Sequence, residues 1–181
     1  MKKRFSSKEI HENLHSLGVK RGDILLIKVD AFSVGLIADN PRDGLLNSLI
    51  DYLGPDGTIV TPAFTKSYFL PFFNKEKKVF SITDTPNTGS FAKAMLKNVN
   101  HKRSLHPTNS FIAIGKHAEK ILIEHDHNSH SYHPLNIMMD LSSKALIIGC
   151  LDSSPGHLTA HLAQYDLPLV ISFLCSPSFT P

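Results

Sequence analysis

Eleven histidines in 181 residues call for a chemical reading. In a helix, His157-x-x-x-His161 puts two imidazoles on one face, where both can bind one metal. A zinc-protease motif needs Glu directly after the first His, and Leu158 stands there. The alternative is one surface and one pocket imidazole. His125, His127, His130 and His133 crowd one short segment. They could gather a divalent metal, or leave one member for acid–base work. Only Asp126 accompanies them and no cysteine does, so no metal is expected. Arg103-Ser104-Leu105-His106-Pro107-Thr108 offers a cation, a hydroxyl and backbone N–H groups, a set that can hold phosphate. In Asp84-Thr85-Pro86-Asn87-Thr88-Gly89, Asn87 or Thr88 could cap a helix whose start receives an anion. A G-x-S-x-G elbow, a P-loop, a Rossmann glycine fingerprint and a C-x-x-C pair are all missing. The commonest hydrolase, NTPase and dehydrogenase chemistries are thereby excluded.

These residues need a scaffold. Ser6-x-x-Glu9 is a capping-box pattern, with Ile10, Leu14 and Leu17 at helical spacing and Gly18 closing the helix. Asp23 to Val29 reads as a buried strand, and Asp30 to Asp39 as a loop. Asn40-Pro41 opens a second helix whose apolar face runs from Leu45 to Leu53, and Pro55-Asp56-Gly57 makes a turn. A second strand is expected at Thr58 to Thr61. Ala63 to Phe80 is aromatic and aperiodic, either core or pocket lining. Helices are expected at Thr88 to Leu96, Lys116 to Glu124, Leu135 to Leu141 and Leu158 to Tyr165, and a polar loop at His125 to His133. Strands are expected at Ser110 to Ile114 and Lys144 to Gly149. Such alternation predicts an α/β fold, a layered α/β/α sandwich around a largely parallel sheet. No linker divides residues 1–181, so one domain is expected, with 167–181 an atypical apolar tail.

Hydrophobic residues make up 41% and charged residues 19%, which excludes a disordered chain. No apolar run reaches the roughly 20 residues of a membrane span, and no apolar region follows the basic N-terminus as in a secretory signal. Two cysteines do not make a disulfide framework, so a cytoplasmic location is expected. The net charge of +3 lies in short clusters, too little for a nucleic-acid stripe. Neither nucleic acid nor membrane is an expected partner.

Taken in order, several segments resemble the aminoglycoside 3-N-acetyltransferase family. They are Leu17-Gly18-Val19-Lys20-Arg21-Gly22-Asp23, and Gly54-Pro55-Asp56-Gly57-Thr58 through Thr65. Thr85-Pro86 with Gly89 follows, then Arg103-Ser104-Leu105-His106-Pro107-Thr108-Asn109-Ser110, and finally Leu158-Thr159-Ala160-His161-Leu162-Ala163-Gln164. The similarity covers roughly residues 8–166. It implies an acetyl-CoA-dependent N-acetyltransferase that acts on an amino group of an aminoglycoside, a small-molecule amine acceptor.

The resemblance makes His161 the general base and puts Gln164 where the family has a carboxylate. Gln can orient an imidazole but supplies no charge. His133 or His106 could share the role. CoA is expected against Ala31, Phe32 and Ser33, and against Arg103, Ser104, Ser110 and Phe111. Lys28-Val29-Asp30 stands where the family shows a His-Ser-Ser run. The chain is shorter than family members, and Val170 to Pro181 resembles none of their continuation, so truncation near Leu167 is expected. Apolar surface left uncovered there would favour a homodimer. Two alternatives stay open. One is transfer to an amino sugar, perhaps nucleotide-linked, in polysaccharide synthesis. The other is an impaired remnant that only binds CoA.

Overall fold

The computed structural model describes residues 4–30, 36–37, 44–65 and 79–149. Its elements run β1 (Arg4–Phe5), α1 (Ser7–Ser16), β2 (Ile24–Val29), β3 (Leu36–Ile37), α2 (Gly44–Leu53) and β4 (Thr58–Pro62). They continue with α3 (Ser90–Lys97), β5 (Lys102–Arg103), β6 (Phe111–Gly115), α4 (Ala118–Leu122), α5 (His133–Asp140) and β7 (Lys144–Ile148). Ala31, Phe32, Ser33, the Asn40-Pro41 helix start, the aromatics at 66–78, His157, His161, Gln164 and the 167–181 tail lie outside the described residues.

Residues alternate sides along a strand, so an unbroken apolar run must be covered on both faces. In β2, Leu25 and Ile27 join one core with Ile59, Ile112 and Leu146. That face is covered by Ile10 and Leu14 of α1, Leu46, Leu49 and Leu53 of α2, and Phe91 and Met95 of α3. Ile24 and Leu26 face the other way with Val60, Phe111 and Ala113. There Ala118, Ile121 and Leu122 of α4 and Leu135 and Met138 of α5 close over them. The expected α/β/α sandwich is the fold.

The five-stranded sheet has the order β5-β6-β4-β2-β7. β2 pairs parallel with β4 and β7, in register Leu25↔Ile59 and Ile27↔Leu146. β6 runs antiparallel to β4 and to β5. The sheet is therefore mixed, parallel at its centre and antiparallel along one side. The reason is connection length: β5 and β6 are joined by a short turn, whereas parallel neighbours need a long crossover. Two-residue strands show no period. For that reason β5 escapes the sequence reading, as do β1 and β3, which form a separate parallel pair.

Local chemistry sets the boundaries. Glu9 N–H donates to Ser6 Oγ at 3.3 Å and Ser6 N–H to Glu9 Oε2 at 2.9 Å, completing the capping box. Asn87 and Thr88 do not cap α3. Its cap position is Gly89, without a side-chain bond, and Thr88 Oγ1 donates instead to Pro62 O at 2.6 Å. Lys144 Nζ bonds Asp23 Oδ2 at 2.6 Å, tying β7 to the entrance of β2. Burial pushes the Asp23 carboxyl up, but the Lys144 ammonium and the Lys20 N–H outweigh it and hold it below the usual range.

Two glycines give opposite tests of backbone demand. Gly115 has φ +123°, and a Cβ there would sit 2.1 Å from Gly57 O and 2.7 Å from Thr58 Cα. Gly18 has φ +76° with nothing within 4 Å of an added Cβ. Gly115→Ala is expected to destabilise by about 3 kcal/mol or more. Gly18→Ala is expected to lose only about 1–2 kcal/mol, the left-handed backbone penalty. Urea midpoints for both variants check the difference.

Candidate functional site

β2, β4 and β7 all end at one edge of the sheet, where β5 also ends and β6 begins. In open α/β sheets, ligands bind at the carboxyl edge of parallel strands. Here that edge holds a cavity of about 220 Å³. Lys28 and Val29 line it from β2, Thr61, Pro62 and Phe64 from β4 and its exit, and Thr88 and Phe91 from the start of α3. The walls are mostly apolar, and Lys28 is the one ionisable group among these lining residues. Thr61 Oγ1 donates to Ile27 O at 2.8 Å, which leaves its oxygen to accept. Sequence reasoning assigned no role to Lys28 or Phe91. The signal for Phe64 was its place in the aromatic stretch.

The Arg103–Phe111 segment forms the adjoining rim. Ala63 N–H donates to Ser110 O at 2.8 Å, continuing the β4–β6 pairing, and Ser104 N–H donates to Phe111 O at 3.0 Å, closing the turn between β5 and β6. Arg103 Nε donates to Ser110 Oγ at 3.1 Å and Nη2 to Ala63 O at 2.9 Å. Its Nη1 donates to Ile82 O at 3.0 Å and to Asp84 O. Burial lowers the guanidinium pKa, and the Asp84 carboxylate works against that. Ser104, Ser110 and Phe111 are buried, so the segment expected to hold CoA turns these side chains inward.

Behind the rim lies a group of imidazoles. His125, expected in a polar loop, is fully buried. Its position extends the inward face of α4 by one turn past Ile121 and Leu122, a spacing that could have marked it. His125 Nδ1 bonds Ser104 Oγ at 2.9 Å, and that oxygen also accepts Phe111 N–H at 2.8 Å. The His125 ring stacks on His106 at 4.8 Å and meets the edge of Phe111 at 5.7 Å. Phe111 in turn meets Phe64, a cavity residue, at 5.8 Å. A ladder of rings thus joins the cavity to the histidines.

Their electrostatics differ. Burial, followed by the neighbouring His106, His133 and His130, pushes His125 down to about 3; a backbone contact at Ser131 opposes this weakly. Burial also lowers His106, while Asp126 raises it. Asn109 N–H donates to His106 Nδ1 at 3.0 Å, which fixes the neutral Nε2–H tautomer. That ring is a donor, and taking up a proton would break the bond. His133 lies at the start of α5 with Nε2 3.7 Å from Glu124 Oε2, an ion-pair distance too long for a hydrogen bond, and that buried nitrogen has no hydrogen-bond partner. His130 meets His133 edge-on at 5.4 Å. Among the described residues, no group of three or more His, Cys, Asp or Glu converges to hold a metal ion. Nor is any described helix long and apolar enough to cross a membrane.

Residues 26–170 match the family model described as aminoglycoside 3-N-acetyltransferase. An SPbeta prophage-derived aminoglycoside N(3')-acetyltransferase-like protein of Bacillus subtilis is 28% identical over 183 residues, covering 90% of this chain and 66% of that one. Aminoglycoside N(3)-acetyltransferase IV from Salmonella sp is 31% identical over 160 residues, covering 86% of this chain and 57% of its own length. The chain thus spans less than two thirds of either relative. The crystal structure of the YokD protein from Bacillus subtilis matches with a TM-score of 0.76 at 27% identity, over 90% of this chain and 71% of that chain.

The buried His125 contributes to the acid response of the fold. Its pKa is lower folded than unfolded, so the unfolded chain binds the extra proton between pH ~6.5 and ~3. Stability therefore falls as pH drops through that window, with a slope from this one group of up to about 1.4 kcal/mol per pH unit. His125→Phe keeps a ring on His106 and removes the titration. Urea unfolding between pH 4 and 6 should show a shallower pH slope for the variant. Equal slopes would mean that His125 is not held neutral.

Proposed function

The chain belongs to the aminoglycoside 3-N-acetyltransferase family, and on that premise we propose that it is an acyltransferase. It passes the acetyl group of acetyl-CoA to an amino group of an aminoglycoside, at the 3-N position, within a single domain. The observation that supports this most is the continuity of the match. Residues 26–170 take in the cavity at the strand ends, the Arg103–Phe111 rim and the His161–Gln164 segment alike.

His161 is the general base. It removes a proton from the acceptor nitrogen as that nitrogen attacks the thioester carbonyl. The tetrahedral adduct collapses, the C–S bond breaks, and the departing CoA sulfur takes a proton. Gln164 orients the imidazole by a hydrogen bond without stabilising its cation. His133, with Glu124 beside it, suits a supporting base. His106, with its Nδ1 bonded to a backbone N–H, suits a donor. Ala31, Phe32 and Ser33, next in sequence after β2, are the proposed contacts to CoA. The cytoplasm is the proposed location.

A second reading has a specific observation behind it. Lys28 in the cavity and a net charge of +3 suit an amino sugar that carries an anionic nucleotide. Polycationic aminoglycosides prefer acidic walls.

The test is thiol release from acetyl-CoA over a panel of aminoglycosides and nucleotide-linked amino sugars. His161→Ala is expected to lose roughly 100-fold or more in kcat. Gln164→Glu is expected to raise kcat by supplying the missing charge. Thiol release with the anionic acceptors alone would move the conclusion to the second reading. No thiol release by either the native chain or Gln164→Glu would overturn both.

A further inference from the structure

We infer that Arg103 is a positioning residue: without touching a ligand, its guanidinium fixes the spacing between the two walls of the cavity at the strand ends. The kinetic consequence rests on the transferase reading; the mechanical one does not.

One wall leaves β4, with Pro62 and Phe64 on either side of Ala63. The other belongs to the segment that leads into α3, where Thr88 and Phe91 line the space. Arg103 reaches both. Nη2 holds Ala63 O at 2.9 Å on the first wall. Nη1 holds Ile82 O at 3.0 Å, and Asp84 O, on the approach to the second. Nε donates to Ser110 Oγ, which sends its own proton on to Ala63 O at 2.7 Å. The ring of Phe80 covers the guanidinium carbon, 5.2 Å from the ring centroid.

The acceptors explain why this is a clamp and not a grip on phosphate. A phosphate-binding arginine presents a fork of N–H groups to the ligand. Here all three nitrogens donate to protein oxygens, three of them backbone carbonyls. A planar fork can hold carbonyls from two segments at a set angle, whereas a lysine ammonium is a point donor on a flexible stem. Thr88 Oγ1 on Pro62 O and Asn87 N–H on Phe64 O join the same walls nearer the helix. Arg103 extends that seam to residues 82–84.

The chain has no tryptophan, so Phe64→Trp gives a single emission reporter on the cavity wall. Arg103→Lys is made in that background and in the native sequence. Ser110→Ala, which removes one bond of the clamp, is the milder companion should Arg103→Lys not fold. In ligand-free protein, Arg103→Lys should shift the emission to the red and increase acrylamide quenching, with Ser110→Ala moving the same way by less. Its KM should rise roughly tenfold, by an equal factor for acetyl-CoA and for S-acetyl-N-acetylcysteamine, which has no phosphate. An unchanged reporter in both variants would overturn the inference. A KM penalty confined to acetyl-CoA would overturn it too, in favour of direct phosphate contact. A shifted reporter with no turnover by any protein would support the clamp and count against the transferase reading alone.

Discussion

A strand that is apolar on both faces cannot be stable until both are covered, and β2 imposes that condition on the molecule. Leu25 and Ile27 lie on one side, Ile24 and Leu26 on the other, and all are buried. Three helices answer for the first face and two for the second. β4, buried along its whole length, imposes the same condition beside it. Two parallel strands so placed must be joined by long crossovers, which carry the connecting segments out to the strand ends. The cavity is a consequence of that geometry. It lies where the central strands stop and the coverage has to be supplied by loops.

Loops at such an edge bring backbone polar groups into a partly dry place, and each needs a partner. The Arg103–Phe111 segment supplies many of those partners, and Thr61 and Thr88 supply others. Arg103 takes three carbonyls, Ser110 takes part of one of them, and Ser104 accepts the Phe111 N–H. Ser104 then passes the constraint to His125, and the stacked His106 ring extends it to the Asn109 N–H. The polar residues of this motif are thus a bonded network at the rim of an apolar cavity. Their hydrogen bonds hold the shape of that rim.

Much of this was legible in the residues. The capping box at Ser6 and Glu9, the strand at 23–29 and the double-sided burial implied by its apolar run all correspond to what is observed. Three things were hidden, for physical reasons. Strands of two residues, such as Lys102–Arg103, are too short to show alternation, so the antiparallel side of the sheet could not be read. The spacing of His125 after Ile121 and Leu122 was a sign of its burial, but its partner, a hydroxyl 21 residues away, left no local trace. Thr88 had the composition of a helix cap, but a carbonyl at Pro62 offered its hydroxyl a better partner. Of the candidate site, the Arg-Ser-x-His-Pro segment was visible as chemistry. Its orientation was not, because spacing does not tell whether a guanidinium points outward or in.

The pairing of β2 with β7 also has a consequence for synthesis on the ribosome. The Lys144–Asp23 bond joins positions 121 residues apart, and β2 receives β4 on one edge long before it can receive β7 on the other. As the chain emerges from its N-terminal end, β2 must wait with one row of backbone donors and acceptors open until residue 148 has been made. α1, α2 and α3 can meanwhile pack on β2, β4 and β6, leaving the place of Leu146 in that core to be filled. A nascent chain of this kind is most exposed to edge-to-edge pairing with its neighbours on a polysome during that interval. The arrival of β7 closes the edge of β2 and makes β7 the outer strand on that side among the described residues.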